Sequence, residues 1–113
     1  MKTIATDELK DLRAKGENLT LVNTLAADAF EKTRIPGAVN IPLDDSKFVT
    51  RVEQEAGGKD KPVVVYCASD QCNSSEKAAT KLEAAGFTDV TRYTGGAAAW
   101  KKEAEQVEVG PSC

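Results

Sequence analysis

Four consecutive apolar residues, Val63, Val64, Val65 and Tyr66, restrict the fold of this chain more than any other segment. A polar, glycine-rich stretch precedes them at residues 57–62, and Cys67 follows them directly. Valine and tyrosine favour strands, and an uninterrupted apolar run is typical of a strand that is covered on both faces. The sequence therefore predicts a central parallel strand at residues 63–66.

Strands and helices alternate on either side of this segment. We predict further strands at residues 3–5, 19–23, 38–41 and 90–93, and helices at residues 44–56, 74–85 and 97–105 as well as from Thr6 to a stop at Gly16. Residues 26–32 carry too few apolar positions to be assigned. The alternation indicates an α/β fold with a mostly parallel sheet. A chain of 113 residues has room for one domain, which we place at residues 1–106, followed by a flexible tail at residues 107–113.

The chain contains no histidine, and this absence excludes several mechanisms. Ser-His and Cys-His nucleophile pairs, histidine metal sites and the usual general base near neutral pH are all removed. Three cysteines without a secretion signal argue against a disulfide framework. A net charge of −3 without a basic stripe argues against nucleic acid, and no apolar run approaches the roughly 18 residues of a membrane span. We expect a cytoplasmic protein that binds neither nucleic acid nor membrane.

Cys67 stands where the predicted central strand ends, and a helix begins a short loop later, near Ser74. Ligands of open α/β sheets bind at the carboxyl ends of the strands, and a helix start offers unpaired N–H groups with a partial positive charge. A thiol placed there can ionise without histidine, since the dipole and the loop amides favour the thiolate. The alternative is that Cys67 is a small apolar residue closing the strand, because free cysteines are often buried.

The motifs along the chain are similar to those of a single-domain rhodanese. The similarity covers nearly the whole sequence in the right order. Its parts are the strand and cysteine at residues 63–67, the loop with Ser74, the helix residues 77–82 ending at Gly86 and Phe87, the Tyr-Thr-Gly-Gly segment at residues 93–96, Trp100, and the upstream Arg-Ile-Pro-Gly-Ala-Val-Asn-Ile-Pro segment at residues 34–42.

The resemblance implies a doubly wound, mostly parallel sheet of about five strands with helices on both faces. It also implies a sulfurtransferase, in which Cys67 takes a sulfane sulfur from thiosulfate or a persulfide and passes it to cyanide or a thiol, without metal or cofactor. We expect a monomer with these small molecules as partners, and an acceptor protein as a further candidate. The open alternative is a non-catalytic or redox-regulatory module that carries sulfur to a partner.

The loop that follows Cys67 departs from the commonest rhodanese pattern. By resemblance, the substrate-binding loop consists of Ala68, Ser69, Asp70, Gln71, Cys72, Asn73 and Ser74. It is one residue longer than usual, and Asn73 stands where an arginine is common. A loop of this length resembles the phosphatase and arsenate reductase branch of the fold, but that branch clamps its dianion with an arginine fork that asparagine cannot replace. We therefore rank a phosphatase well below a sulfurtransferase.

Cys72 gives the loop a second thiol, with two readings of equal weight. It resembles the second cysteine of a two-cysteine variant, which could resolve a persulfide or sulfenic acid on Cys67 as a disulfide. Alternatively, it only fills the base of the loop. A zinc site is not expected, because the ligands to complete one are missing. Trp100 is expected to fill the core, and two cations, Lys77 and Arg92, are candidates for steering anions, although a solvated surface position is expected for each.

Overall fold

The central position predicted for residues 63–66 is confirmed by the strand order. A computed structural model describes residues 2–14, 19–35, 37–68 and 73–107, with side chains as far as residue 101. Within these residues one sheet contains five strands, ordered β1-β5-β4-β2-β3 and paired in parallel throughout. The strands are β1 (Lys2–Ile4), β2 (Thr20–Asn23), β3 (Val39–Asn40), β4 (Val63–Tyr66) and β5 (Val90–Tyr93).

Helices connect successive strands of the sheet, and a further helix follows β5. In the described part of the chain they are α1 (Thr6–Ala14), α2 (Ala27–Thr33), α3 (Phe48–Ala56), α4 (Ser74–Ala84) and α5 (Gly96–Val107). Helix α4 is followed by Gly86 in the left-handed region, with φ of 105°, as the sequence predicts. Helix α5 extends to Val107, and residues 108–113 lie outside the described residues.

Helix α3 begins four residues later than residue 44, where the sequence predicts its start. The reason is the Asp45 carboxylate, which accepts hydrogen bonds from the backbone N–H of Lys47 at 2.7 Å and from Arg51 at 2.6 Å. These bonds, the first above all, lower the pKa of Asp45 below its usual 3.8. They hold residues 45–47 in a turn, so the helix starts only at Phe48.

Helix α2 occupies the segment that the sequence left unassigned. None of its residues is fully buried, so it shows no apolar stripe from which a helix could be predicted. Its position depends on polar contacts at its last residue, Thr33. The Asn23 amide donates to the Thr33 hydroxyl at 3.0 Å, and the Tyr66 hydroxyl donates to the Thr33 carbonyl at 3.0 Å.

Two apolar clusters cover the two faces of the sheet, which confirms the α/β architecture with helices on both sides. One cluster joins the sheet to α3 and α4, and the other joins it to α1 and α5. The β4 residues alternate between them, with Val63 and Val65 in the first cluster and Val64 and Tyr66 in the second. No helix in the described part of the chain is long and apolar enough to cross a membrane.

Candidate active site

Cys67 is the first residue after β4, at the carboxyl end of the central strand. Its side chain is 1% exposed, and its sulfur lies 3.4 Å from the hydroxyl oxygen of Ser75 in the first turn of α4. The predicted juxtaposition of a strand-end thiol with a helix start is therefore present. Burial alone would disfavour a thiolate, and a hydroxyl within hydrogen-bonding distance together with a helix N-terminus counteracts that penalty.

The backbone on both sides of the Cys67 sulfur is fixed by hydrogen bonds from neighbouring elements. Thr24, just after β2, donates its backbone N–H to the Tyr66 carbonyl at 3.1 Å. At the start of α5, the backbone N–H groups of Ala97 and Ala98 donate to the carbonyls of Cys67 and Ala68 at 2.9 and 2.8 Å. Three consecutive carbonyls are thus anchored, so the direction in which the loop leaves the strand is fixed at its first residues.

Arg92 places a cation near the sulfur, contrary to the surface position predicted from the sequence. It belongs to β5, where it pairs in register with Val65 of β4, and it is half-buried. Its Nε donates a hydrogen bond to the Ser75 hydroxyl at 3.0 Å, and that hydroxyl is the group that contacts the Cys67 sulfur. The other candidate cation, Lys77, is exposed, as predicted.

The predicted substrate-binding loop is described only at its two ends. Ala68 is half-buried beside α5, whereas at the other end Asn73 is exposed and Ser74, half-buried, begins α4. The predictions for Ser69, Asp70, Gln71 and Cys72 fall outside the described residues, and so does the tail cysteine, Cys113. The resolving role of Cys72 remains a prediction.

A cavity of about 410 Å³ opens beside the first loop residue. Its wall is mainly apolar, with Ala68, Ala97, Ala98 and Trp100, and it includes three cations, Lys32, Arg34 and Lys101. Trp100 is half-buried and packs on the cluster shared with α1 while lining this cavity, so it serves the core and also the site. A cavity of this size suits a small molecule, and its cations favour an anionic one.

Tyr66 links the central strand to the segment that brings two of these cations to the cavity. Besides donating to the Thr33 carbonyl, its hydroxyl accepts the backbone N–H of Ile35 at 3.1 Å. Burial of the ring raises the pKa of the Tyr66 hydroxyl above its usual 10.0. A neutral hydroxyl can donate and accept at once. The Tyr66 hydroxyl therefore fixes the backbone of the residues before and after Arg34.

Sequence reasoning missed the contacts of Arg92 and Tyr66. The available signal was the composition of β5, in which Arg92 is the one charged residue in an otherwise buried strand beside the central one. A charge in that position requires a partner. The partner could not be identified, because it depends on how α4 packs across β4 and β5. Among the described residues, no group of three or more cysteine and carboxylate side chains could hold a metal ion.

Fold and site together define a rhodanese-like domain. The sequence matches the rhodanese-like domain family over residues 5–103, and the chain belongs to this family.

Relatives from three bacteria agree with this assignment. The chain is 35% identical to the thiosulfate sulfurtransferase GlpE of Pseudomonas syringae over 100 residues, which cover 88% of this chain and 87% of that protein. The structure is similar to a rhodanese-like domain protein from Staphylococcus aureus, with a TM-score of 0.73 and 29% identity over 88% of this chain and 91% of that one. It is also similar to the rhodanese-like domain of an Anabaena protein, with a TM-score of 0.76 and 28% identity over 91% of this chain and 75% of that one.

Proposed function

We propose that this protein is a sulfurtransferase that carries a sulfane sulfur as a persulfide on Cys67. The observation that carries the proposal is the position of the Cys67 sulfur, at the end of the central strand and 3.4 Å from the Ser75 hydroxyl at the start of α4. Membership of the rhodanese-like family and the similarity to GlpE, which is named a thiosulfate sulfurtransferase, support the same conclusion.

The proposed reaction has two displacement steps at sulfur. In the first, the Cys67 thiolate attacks the outer sulfur of thiosulfate, the new S–S bond forms as the old one breaks, and sulfite leaves with the bonding electron pair. With a low-molecular-weight persulfide as donor, the leaving group is the corresponding thiolate. In the second step, cyanide or a thiolate attacks the outer sulfur of the Cys67 persulfide and the Cys67 thiolate leaves. Each step transfers sulfur between nucleophiles without a general base.

The cavity beside Ala68 supports an anionic donor. Asn73 supplies no charge where an arginine is common in the family, but Lys32, Arg34 and Lys101 line the cavity. Thiosulfate and carboxylate-bearing persulfides are both anionic, and both would be attracted to this wall. The charges near the site therefore favour these two donor classes over neutral ones.

The proposal is tested by the intact mass of the protein after incubation with thiosulfate or with glutathione persulfide. We expect a gain of one sulfur atom that is lost on addition of cyanide, with formation of thiocyanate. The Cys67→Ser variant should gain no sulfur, whereas the control variant Cys113→Ser, which also removes one thiol, should gain it as the wild type does. If neither donor adds sulfur to the folded wild-type protein, the sulfurtransferase proposal is wrong.

A further inference from the structure

The hydrogen bonds around Ser75 have a direction that follows from the chemistry of the groups. The Nε of Arg92 is only a donor, because a guanidinium has no acceptor. The Ser75 oxygen therefore accepts from Arg92, at 3.0 Å, and the single hydroxyl proton remains available for another acceptor. The Cys67 sulfur lies 3.4 Å away. As a thiol it donates to the Ser75 oxygen, and once ionised to the thiolate it can only accept, so the bond then runs from the Ser75 hydroxyl to the sulfur.

The burial of Ser75 and Cys67 and the nearby guanidinium increase the effect of this hydrogen bond on the Cys67 thiol. Ser75 is 1% exposed and Cys67 is equally buried, so water does not compete for the bond between them. A hydrogen bond to the charged form of a group favours that form, and a nearby cation does the same.

We propose that Arg92 is a positioning residue, which holds the Ser75 hydroxyl proton toward the Cys67 sulfur and so stabilises the thiolate. The position of Arg92 on β5 brings to the site, from outside the loop, the positive charge that Asn73 does not provide. The proposal deepens the proposed function, since it concerns the same thiol.

Packing alone does not account for an arginine at this point of the strand. Arg92 pairs in register with Val65, and the neighbouring residues of β4 and β5 on that face, Val63, Val65 and Val90, are all members of the apolar cluster under α4. A half-buried guanidinium in such a place loses hydration, which is unfavourable unless its hydrogen bonds replace the lost water. The bond to Ser75 replaces part of that water and is directed at the site.

The test measures the thiol itself and needs no sulfur transfer. In the Cys72→Ser/Cys113→Ser background, Cys67 is the remaining thiol, and its rate of alkylation by iodoacetamide is followed against pH. The midpoint of this curve is the pH at which the rate reaches half of its maximum. We expect Arg92→Met to raise the midpoint by about one pH unit, so that alkylation below the midpoint slows about tenfold. Lys77→Met is the matched control, since it removes one charge from an exposed residue of α4, and its midpoint should stay at that of the parent.

A second comparison tests whether Arg92 acts through Ser75. Ser75→Ala should also raise the midpoint, and Arg92→Met should add little in the Ser75→Ala background, because both substitutions remove the same oriented proton. Arg92→Lys keeps the charge without the Nε donor, and we expect an intermediate midpoint. Arg92→Lys also tests the effect of Arg92 on the alkylation midpoint if Arg92→Met does not fold.

Two results would overturn the inference. One is an alkylation midpoint of Arg92→Met that equals the midpoint of Lys77→Met. If Arg92→Met does not fold, the same comparison is made with Arg92→Lys. The other is full additivity of Arg92→Met and Ser75→Ala, which would mean that Arg92 acts by charge alone. Neither result depends on whether Cys67 accepts sulfur, so failure of the inference and failure of the sulfurtransferase proposal are distinguishable.

Discussion

Tyr66 and Cys67 are adjacent residues whose side chains serve opposite faces of the sheet. Tyr66 belongs to the cluster under α1 and α5, whereas the Cys67 sulfur contacts Ser75 of α4 on the other face. Such alternation is the ordinary geometry of an extended chain. As a result, one side chain organises the wall of the cavity while the next provides the sulfur that we propose to react.

The buried hydroxyl of Tyr66 should therefore matter to stability more than to chemistry. Tyr66→Phe removes the acceptor of the Ile35 N–H and leaves the Thr33 carbonyl with the longer bond, 3.5 Å, from the Asn23 amide. We expect it to lower the free energy of unfolding by about 1–3 kcal/mol at neutral pH. Urea unfolding measures this loss. A loss well below 1 kcal/mol would show that other groups satisfy both backbone atoms.

The stability difference between the wild type and Tyr66→Phe should depend on pH. The sign of this dependence follows from the raised pKa of the Tyr66 hydroxyl. Burial raises that pKa above the 10.0 of the exposed group, so the unfolded chain releases the proton first as pH rises. The stabilising contribution of the neutral hydroxyl is complete below about pH 10 and is lost as pH rises through the folded-state pKa. The difference in unfolding free energy between wild type and Tyr66→Phe should narrow above pH 10, and a difference that widens there would contradict the assignment.

At the scale of elements, the start of α5 anchors the backbone that follows β4. Gly95 precedes this helix, and a Cβ added there would lie 2.5 Å from the Cβ of Ala99, one turn into α5. Since both atoms are attached directly to the backbone, a side chain at Gly95 must displace the helix. The displaced turn carries the Ala97 and Ala98 N–H groups that bind the Cys67 and Ala68 carbonyls.

We expect Gly95→Ala to destabilise the protein by about 1–3 kcal/mol and to lower kcat/KM for sulfur transfer by about tenfold or more, because misplacement of a catalytic group is costly. The double variant Gly95→Ala/Ala99→Gly removes the clash and should recover most of the activity, at a helix-propensity cost of about 1 kcal/mol. Steady-state kinetics and urea unfolding measure the two effects.

Gly57→Ala provides the control for a glycine substitution that leaves the site alone. Gly57 has φ of 88° after α3, and a Cβ there would meet nothing within 4 Å, so only backbone strain of about 1–2 kcal/mol is expected. Its kcat/KM should equal that of the wild type. If Gly95→Ala also retained full activity, the anchoring of the loop by α5 would be unimportant.

The sequence predicted elements well where one residue pattern decides them. The apolar run of β4, the Val90–Tyr93 strand and Gly86 after α4 each follow from local chemistry. Helix α2 could not be predicted, since its last residue is held by side chains of distant strands. The placement of Cys67 was predictable from the end of a strand, but the Arg92–Ser75 contact was not, because it requires the register between β4 and β5.

For the molecule as a whole, the sign of the charge at the cavity differs from the sign of the net charge. The chain carries a net charge of −3, yet Lys32, Arg34 and Lys101 line the cavity beside Ala68. A local positive potential attracts an anionic donor only while salt does not screen it, and the screening length falls to about 8 Å at physiological ionic strength.

We therefore expect kcat/KM for thiosulfate to fall severalfold between about 10 mM and about 150 mM salt. The variant Arg34→Gln/Lys101→Gln should lose most of this dependence while kcat changes little. The control variant Lys59→Gln/Lys61→Gln removes the same charge from exposed residues before β4, at the opposite end of that strand, and should keep the dependence. Equal salt dependence in the two double variants would show that the cavity cations do not attract the donor.

The strand order also has a consequence for how the chain folds during synthesis. The strand at Lys2–Ile4 pairs only with Val90–Tyr93 in the described sheet, with Thr3 opposite Arg92. Of the five described strands, the first to be made must therefore wait for the last before it finds a partner, and such distant pairings form slowly. Because Arg92 and the first turn of α5 are also made late, the surroundings of the Cys67 thiol are completed only at the end of folding. A nascent chain thus exposes the Cys67 thiol before Arg92 and α5 can surround it.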